Sequence, residues 1–229
     1  MSFLSIVSND LRAFCQRDPA ARSRWHVFFL YPGFHALLLH RMAHRLWGWG
    51  LHFLARLLSY MNRFVTHIEI HPAARLGEGL VIDHGAGLVI GETVEIGRHC
   101  TLYQGVTLGG LSPSIDSKAQ VSVKRHPTLG DYVIVGSGAQ VLGPLMVGNG
   151  ARIGANAVVI THVKAGQTVV GIPARTVGGR KNTEQAPDFV PYGLEESTED
   201  PLWREIAALR ERIAHIEKGT HRNKTSTPS

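Results

Sequence analysis

The chain is poor in cysteine: its 229 residues hold only Cys15 and Cys100. Two cysteines cannot build a disulfide framework. No secretory leader is legible at the N-terminus, so a reducing cytoplasm is the expected compartment. Long apolar runs are lacking too. Trp25–Leu30 and Ala36–Leu39 are interrupted by His35, His40, Arg41, His44 and Arg45, and Leu51–Phe64 carries Arg56 and Arg63. A spanning helix needs about 20 mostly apolar residues, so no membrane span is expected. Several chemistry-bearing motifs are missing. There is no GxxxxGK[ST] loop, no GxGxxG that follows a strand and opens a helix, no GxSxG elbow and no CxxC pair. Charged residues make up 18% and hydrophobic ones 44%, which excludes wholesale disorder. The formal charge of +6 favours anionic partners. No basic stripe interleaved with aromatics accompanies it, so nucleic acid is not an expected partner.

Aromatics are scarce in one long stretch. All four Trp and all eight Phe lie outside residues 77–179, where Tyr103 and Tyr132 are the only aromatics. The same stretch holds 20 of the 25 glycines. Such a segment has a narrow interior and many turns. A repeat explains it. Stepping by six from Ile70 meets Leu76, Ile82, Leu88, Val94, Cys100 and Val106; stepping from Leu129 meets Val135, Val141, Val147, Ile153 and Val159. A period of six fits neither a strand nor a helix. It predicts a parallel β-helix of three sides and about 18 residues per coil. Ordinary strands joined by regular turns would not hold that register. The register is lost over residues 111–127, a polar excursion of the kind that often carries function.

The chain before the repeat reads as helices. Asn9-Asp10 can cap a first segment, and Asp18-Pro19 can open another. Tyr31-Pro32-Gly33 reads as a break, with helices over Phe34–Trp47 and Leu51–Phe64. Near the C-terminus, Leu202, Ile206, Leu209, Ile213 and Ile216 step 4, 3, 4, 3, an a/d heptad too short to stand alone. The expected class is therefore α+β. A helical region spans 1–66, a left-handed parallel β-helix 67–178, and a tail 179–229 with a short helix over 200–217.

Histidine is the notable chemical resource, with 13 copies. Any single surface histidine is more often idle than functional. Two stand out by context: His84 in Ile82-Asp83-His84-Gly85, and His126 where the excursion rejoins the repeat. Glu69 precedes His84 by about one coil. The two can lie on neighbouring rungs, about 4.8 Å apart. A carboxylate beside an imidazole fixes its tautomer and stabilises the imidazolium, as a general base requires.

The runs Ile68-Glu69-Ile70-His71-Pro72-Ala73-Ala74 and Leu80 through Thr93 resemble bacterial serine O-acetyltransferases. So do Gln104-Gly105-Val106-Thr107-Leu108-Gly109-Gly110 and Arg125-His126-Pro127. Gly171-Ile172-Pro173-Ala174-Arg175 resembles the motif that closes the prism in that family, and Arg17-Asp18-Pro19-Ala20 with Gly33-Phe34-His35-Ala36 its helical region. The resemblance covers about residues 10–180 in matching order.

What it implies is an acyltransferase that moves acetyl from acetyl-CoA to the L-serine hydroxyl, the first step from serine towards cysteine. Acetyl-CoA is then a co-substrate, with no permanently bound cofactor and no metal. His84 matches the general base and Glu69 its acidic partner. Asp18 and Asp83 match carboxylates that hold the serine ammonium and hydroxyl, and Arg125 and His126 the pair on its carboxylate. Gly109, Gly110, Ser137 and Ala155 match the CoA-lining rungs. The family also implies a homotrimer with sites between prisms, and L-cysteine as feedback inhibitor. Its long N-terminal extension is missing here, which leaves a dimer of trimers open. The chain ends Thr-Pro-Ser, without the Ile by which some members dock into O-acetylserine sulfhydrylase, so that complex is in doubt. The alternatives are a prism O-acetyltransferase for homoserine or a sugar, a histidine-bound zinc enzyme like the γ-class carbonic anhydrases, and a non-catalytic scaffold.

Overall fold

The structure is a computed structural model, and it describes residues 3–111, 121, 123–177 and the tail residues Leu209, Arg210 and Arg212. Four helices come first: α1 (Phe3–Arg17), α2 (Arg24–Leu30), α3 (Pro32–Gly48) and α4 (His52–Thr66). Asn9 and Asp10 do not cap a helix; they lie inside α1. Asp10 is buried, pairs with Arg41 at 3.2 Å and accepts the Gly79 N–H at 2.8 Å. Tertiary partners outbid the local capping role that an Asp otherwise prefers. Asp18-Pro19 opens no helix either. Ser23 caps α2, accepting the His26 N–H at 3.2 Å, and Pro32 stands at the start of α3.

Short strands follow: β1 (Glu69–Ile70), β2 (Arg75–Leu76), β3 (Val81–Ile82), β4 (Val89–Ile90), β5 (Glu95–Ile96), β6 (Thr101–Leu102) and β7 (Thr107–Gly109). After the excursion come β8 (Thr128–Leu129), β9 (Ile134–Val135), β10 (Gln140–Leu142), β11 (Met146–Val147), β12 (Arg152–Ile153), β13 (Val158–Val159), β14 (Thr168–Val170) and β15 (Arg175–Val177). Sheet I orders β1-β4-β7-β10-β13, sheet II β2-β5-β8-β11, and sheet III β3-β6-β9-β12-β14-β15. Strands β1 to β13 thus pass through the three sheets in rotation, and neighbours pair in parallel until β15 folds back antiparallel on β14. This fits the expected α+β class and a β-helix. The inner ladder of Ile70, Ile82, Ile90, Leu102, Leu108, Val135, Val141 and Ile153 is buried almost completely.

The six-residue ladder from Ile70 to Val106 is not one register. Glu69 pairs with Val89, a step of 20 residues, while Val89 pairs with Thr107, a step of 18. Two residues are therefore added between β3 and β4. Ile70 is level with Ile90, not Leu88. The insertion is invisible in the aliphatic pattern because the position two residues earlier is also apolar: Leu88, Val94, Cys100 and Val106 are all buried.

The helices share the core of the prism. Phe14, Phe34 and Leu37 belong to the same buried cluster as Ile68, Leu80 and Ile82. At Gly33 the contact is so close that a Cβ would overlap the Ile82 carbonyl oxygen. That contact fixes α3 against the strand that leads into His84. Most of the excursion, and the tail apart from the helical residues Leu209, Arg210 and Arg212, lies outside the described residues. So do most of the expected 200–217 helix and its heptad.

Candidate active site

The inserted residues form a tight corner between sheets III and I. His84 has φ 58 and Gly85 φ 74, both in the left-handed region. The Gly85 N–H donates to the Asp83 carbonyl at 2.7 Å. A Cβ on Gly85 would stand 2.5 Å from Ile68 Cδ1 and 2.7 Å from Ile82 Cγ2, so only glycine fits. The corner turns the His84 ring outward, where its side chain is 73% exposed, with Nε2 3.8 Å from Asp83 Oδ1. Asp83 is half-buried, and burial raises its pKa; His84 opposes the rise, and Asp18 adds to it.

Asp18 reaches this corner from the loop after α1. Its Oδ2 accepts the Tyr31 hydroxyl at 2.6 Å and its Oδ1 the Ala20 N–H at 2.7 Å. Burial, followed by that hydrogen bond, pushes the Tyr31 phenol up to about 12. Tyr103 also lies close enough for its pKa to be raised, first by burial and then by Asp83 and Asp18. The same corner continues up the prism as a ladder of backbone hydrogen bonds. Gly87 donates to His67, Gly105 to Ala86, Gly138 to Gln104 and Asn156 to Ser137. Ser137 and Ala155 therefore stand in line with His84.

Glu69 lies on the coil before His84, but its carboxylate meets Arg63 of α4 at 3.2 Å, and it makes no hydrogen bond to His84. Glu69 and Arg63 line a cleft of about 770 Å³, with Tyr60, Phe64, His67 and Val89.

The other predicted residues occupy a different corner, between sheets I and II. Arg125 Nη2 pairs with Glu92, and its buried Nε has no partner among the described residues. The His126 ring lies on Gly91, where a Cβ would overlap its Cδ2 and Nε2. Burial, then Arg125, lowers the pKa of His126. Burial, then Arg56, lowers that of nearby His71 to about 4. Both shifts favour the neutral imidazoles, so the positive charge of this corner rests on its Arg and Lys side chains. Gly109 ends β7 beside it and Gly110 follows; Gly109 accepts the Gly143 N–H at 2.9 Å, and a Cβ on Gly110 would lie 3.6 Å from the Arg125 carbonyl oxygen. So one edge of sheet I carries carboxylates and an imidazole, and the other a guanidinium and an imidazole. A zwitterionic substrate needs both.

A serine acetyltransferase of Helicobacter pylori is 53% identical to this chain over 171 residues, 75% of this chain and 96% of that one. The chain belongs to the serine acetyltransferase family. The family model "Serine acetyltransferase, N-terminal" matches residues 2–38, and "Bacterial transferase hexapeptide (six repeats)" matches residues 126–161. A Neisseria gonorrhoeae serine acetyltransferase solved in complex with serine superposes with a TM-score of 0.71 at 40% identity, over 76% of this chain and 69% of that one. A serine acetyltransferase solved in complex with CoA gives a TM-score of 0.69 at 37% identity, over 76% of this chain and 69% of that one. The family's motifs had pointed to Asp18, Asp83, His84, Arg125 and His126. They had not pointed to Tyr31, Arg63, Glu92 or Thr93. Those four act on the predicted residues through contacts 6 to 33 positions apart in sequence, which no local pattern reveals.

Proposed function

We propose that this chain transfers the acetyl group of acetyl-CoA to the hydroxyl of L-serine, giving O-acetyl-L-serine and CoA. One observation carries the reading: His84 is turned outward from a glycine-locked corner between two carboxylates and the ladder that bears Ser137 and Ala155. His84 takes the serine hydroxyl proton as the oxygen attacks the thioester carbonyl carbon. The new C–O bond forms, the C–S bond breaks, and the imidazolium returns its proton to the departing thiolate. A thioester is already activated, so acetyl-CoA suffices as co-substrate. Asp18 and Asp83 take the serine ammonium and Arg125 with His126 its carboxylate. Glu69 supports the imidazolium once its carboxylate turns from Arg63. Gly109, Gly110, Ser137 and Ala155 line the path of CoA.

Because the two halves sit on opposite edges of sheet I, a complete site takes one edge from each of two copies. A homotrimer of left-handed prisms meets that need. The exposed α4 stripe of Phe53, Leu57, Tyr60 and Phe64 beside the sheet I cleft supports burial between copies. L-cysteine, which differs from serine by sulfur for oxygen, competes at the same clamp. The compartment that suits this reading is the cytoplasm, where Cys15 and Cys100 stay reduced.

The test is CoA release from acetyl-CoA with serine, homoserine and a galactoside in parallel. Serine is expected to give the highest kcat/KM, and millimolar cysteine to lower it. A preference for either other acceptor would overturn the serine reading.

A further inference from the structure

The corner between sheets I and II is built around one hydroxyl that the sequence motifs do not single out. Thr93 Oγ1 accepts the backbone N–H of Arg125 at 3.2 Å and that of His126 at 3.2 Å. It also lies 2.8 Å from His126 Nδ1. The Thr93 backbone N–H donates to the same Nδ1 at 3.2 Å, and the Thr93 carbonyl accepts Lys124 Nζ at 2.6 Å. Thr93 thus touches three consecutive residues of the segment that rejoins the prism.

The donors decide the protonation pattern. A backbone N–H can only donate, so Nδ1 faces it with a lone pair. The Thr93 hydroxyl then gives its proton to that lone pair, while its own lone pairs receive the two backbone N–H groups. With Nδ1 an acceptor, the neutral ring carries its proton on Nε2. Gly91 supports the arrangement from behind, since any side chain there would overlap the ring. The result is an Nε2–H donor on the residue that follows Arg125.

We propose that Thr93 is the positioning residue of the substrate-carboxylate clamp, fixing the Arg125–His126 backbone and holding His126 as an Nε2–H donor. The proposal rests on the serine acetyltransferase reading for what the clamp holds. It adds how the clamp is made, and it separates that task from the chemistry at His84 on the other edge of sheet I.

The test compares Thr93→Val, which keeps shape and removes the hydroxyl, with Thr93→Ser, which keeps the hydroxyl. Each lost hydrogen bond is worth roughly two- to tenfold. Thr93→Val is therefore expected to raise the KM for serine about tenfold or more, with the acetyl-CoA KM within about twofold; Thr93→Ser restores the serine KM. In parallel, the ring 15N shifts of histidine-labelled protein, with His126 assigned by its loss in His126→Asn, should show the Nε2–H form in the parent chain and mixed tautomers in Thr93→Val. A serine KM unchanged in Thr93→Val would overturn the proposal. So would an equal loss of affinity for both substrates with the Nε2–H form intact, which marks a merely structural role. If the parent chain does not use serine, the function reading falls, and the tautomer result alone then decides: mixed tautomers in Thr93→Val uphold the role of Thr93, and an unchanged Nε2–H form overturns it.

Discussion

Asp83 sits where a carboxylate is uncomfortable. It is half-buried, its pKa is raised by that burial, and Asp18 lies close enough to raise it further. A carboxylate whose native pKa is above its unfolded value destabilises the fold at high pH, and that cost fades as pH falls through the native pKa. Asp83→Asn should therefore raise the melting temperature at pH 7, and the gain should shrink towards acid pH. The same variant should lower kcat/KM for serine, because a neutral amide holds an ammonium poorly. Calorimetry across pH checks the first half and steady-state kinetics the second. At His84 the expectation is different. His84→Ala should cut kcat by roughly 10²–10⁴, the usual worth of a positioned base, with the acetyl-CoA KM little changed. Glu69→Gln should cost less, since the imidazole stays. Retained turnover in His84→Ala would assign the base elsewhere.

At the scale of the element, the corner between β3 and β4 is held by Gly85 below and by α3 at the side. Gly85→Ala meets both a φ of 74 and the Ile68 and Ile82 side chains. It should destabilise by about 1–3 kcal/mol, the usual cost of overpacking, and should lower kcat by displacing His84. Gly33→Ala should cost a similar amount of stability, read by denaturant midpoint. Much of this was legible in the sequence. The period of six announced the prism, because it is a long-range consequence of stacking that every coil repeats. The insertion at His84 was not legible, since Leu88 satisfies the aliphatic pattern in either register. The roles of Asp10 and Asp18 were misread as caps for a related reason: Arg41, Gly79 and Tyr31, which hold them, are distant in sequence. His84, Arg125 and His126 could be named from motifs, but the split between two corners could not, because the insertion after β3 and the lost register over residues 111–127 hide which edge of the prism each turn occupies.

For the whole molecule, the two-edge arrangement predicts complementation. His84→Ala and Arg125→Ala should each be nearly inactive alone. Copies unfolded together and refolded at equal amounts should regain about a quarter of the parent activity, because each shared site then has one chance in four of drawing its intact His84 from one variant and its intact Arg125 from the other. Activity measured after co-refolding checks this. No recovery would place the whole site within one chain.

A stack of equal coils has no landmark: any rung could be exchanged for the next, and a reactive group would have no address. The two extra residues between β3 and β4 break that translational symmetry once in the first coil. They give a scaffold of otherwise interchangeable rungs an origin, and His84 stands at it. A chain trimmed of those two residues would have a more regular first coil, and His84 would lose the turn that sets it apart from the other rungs.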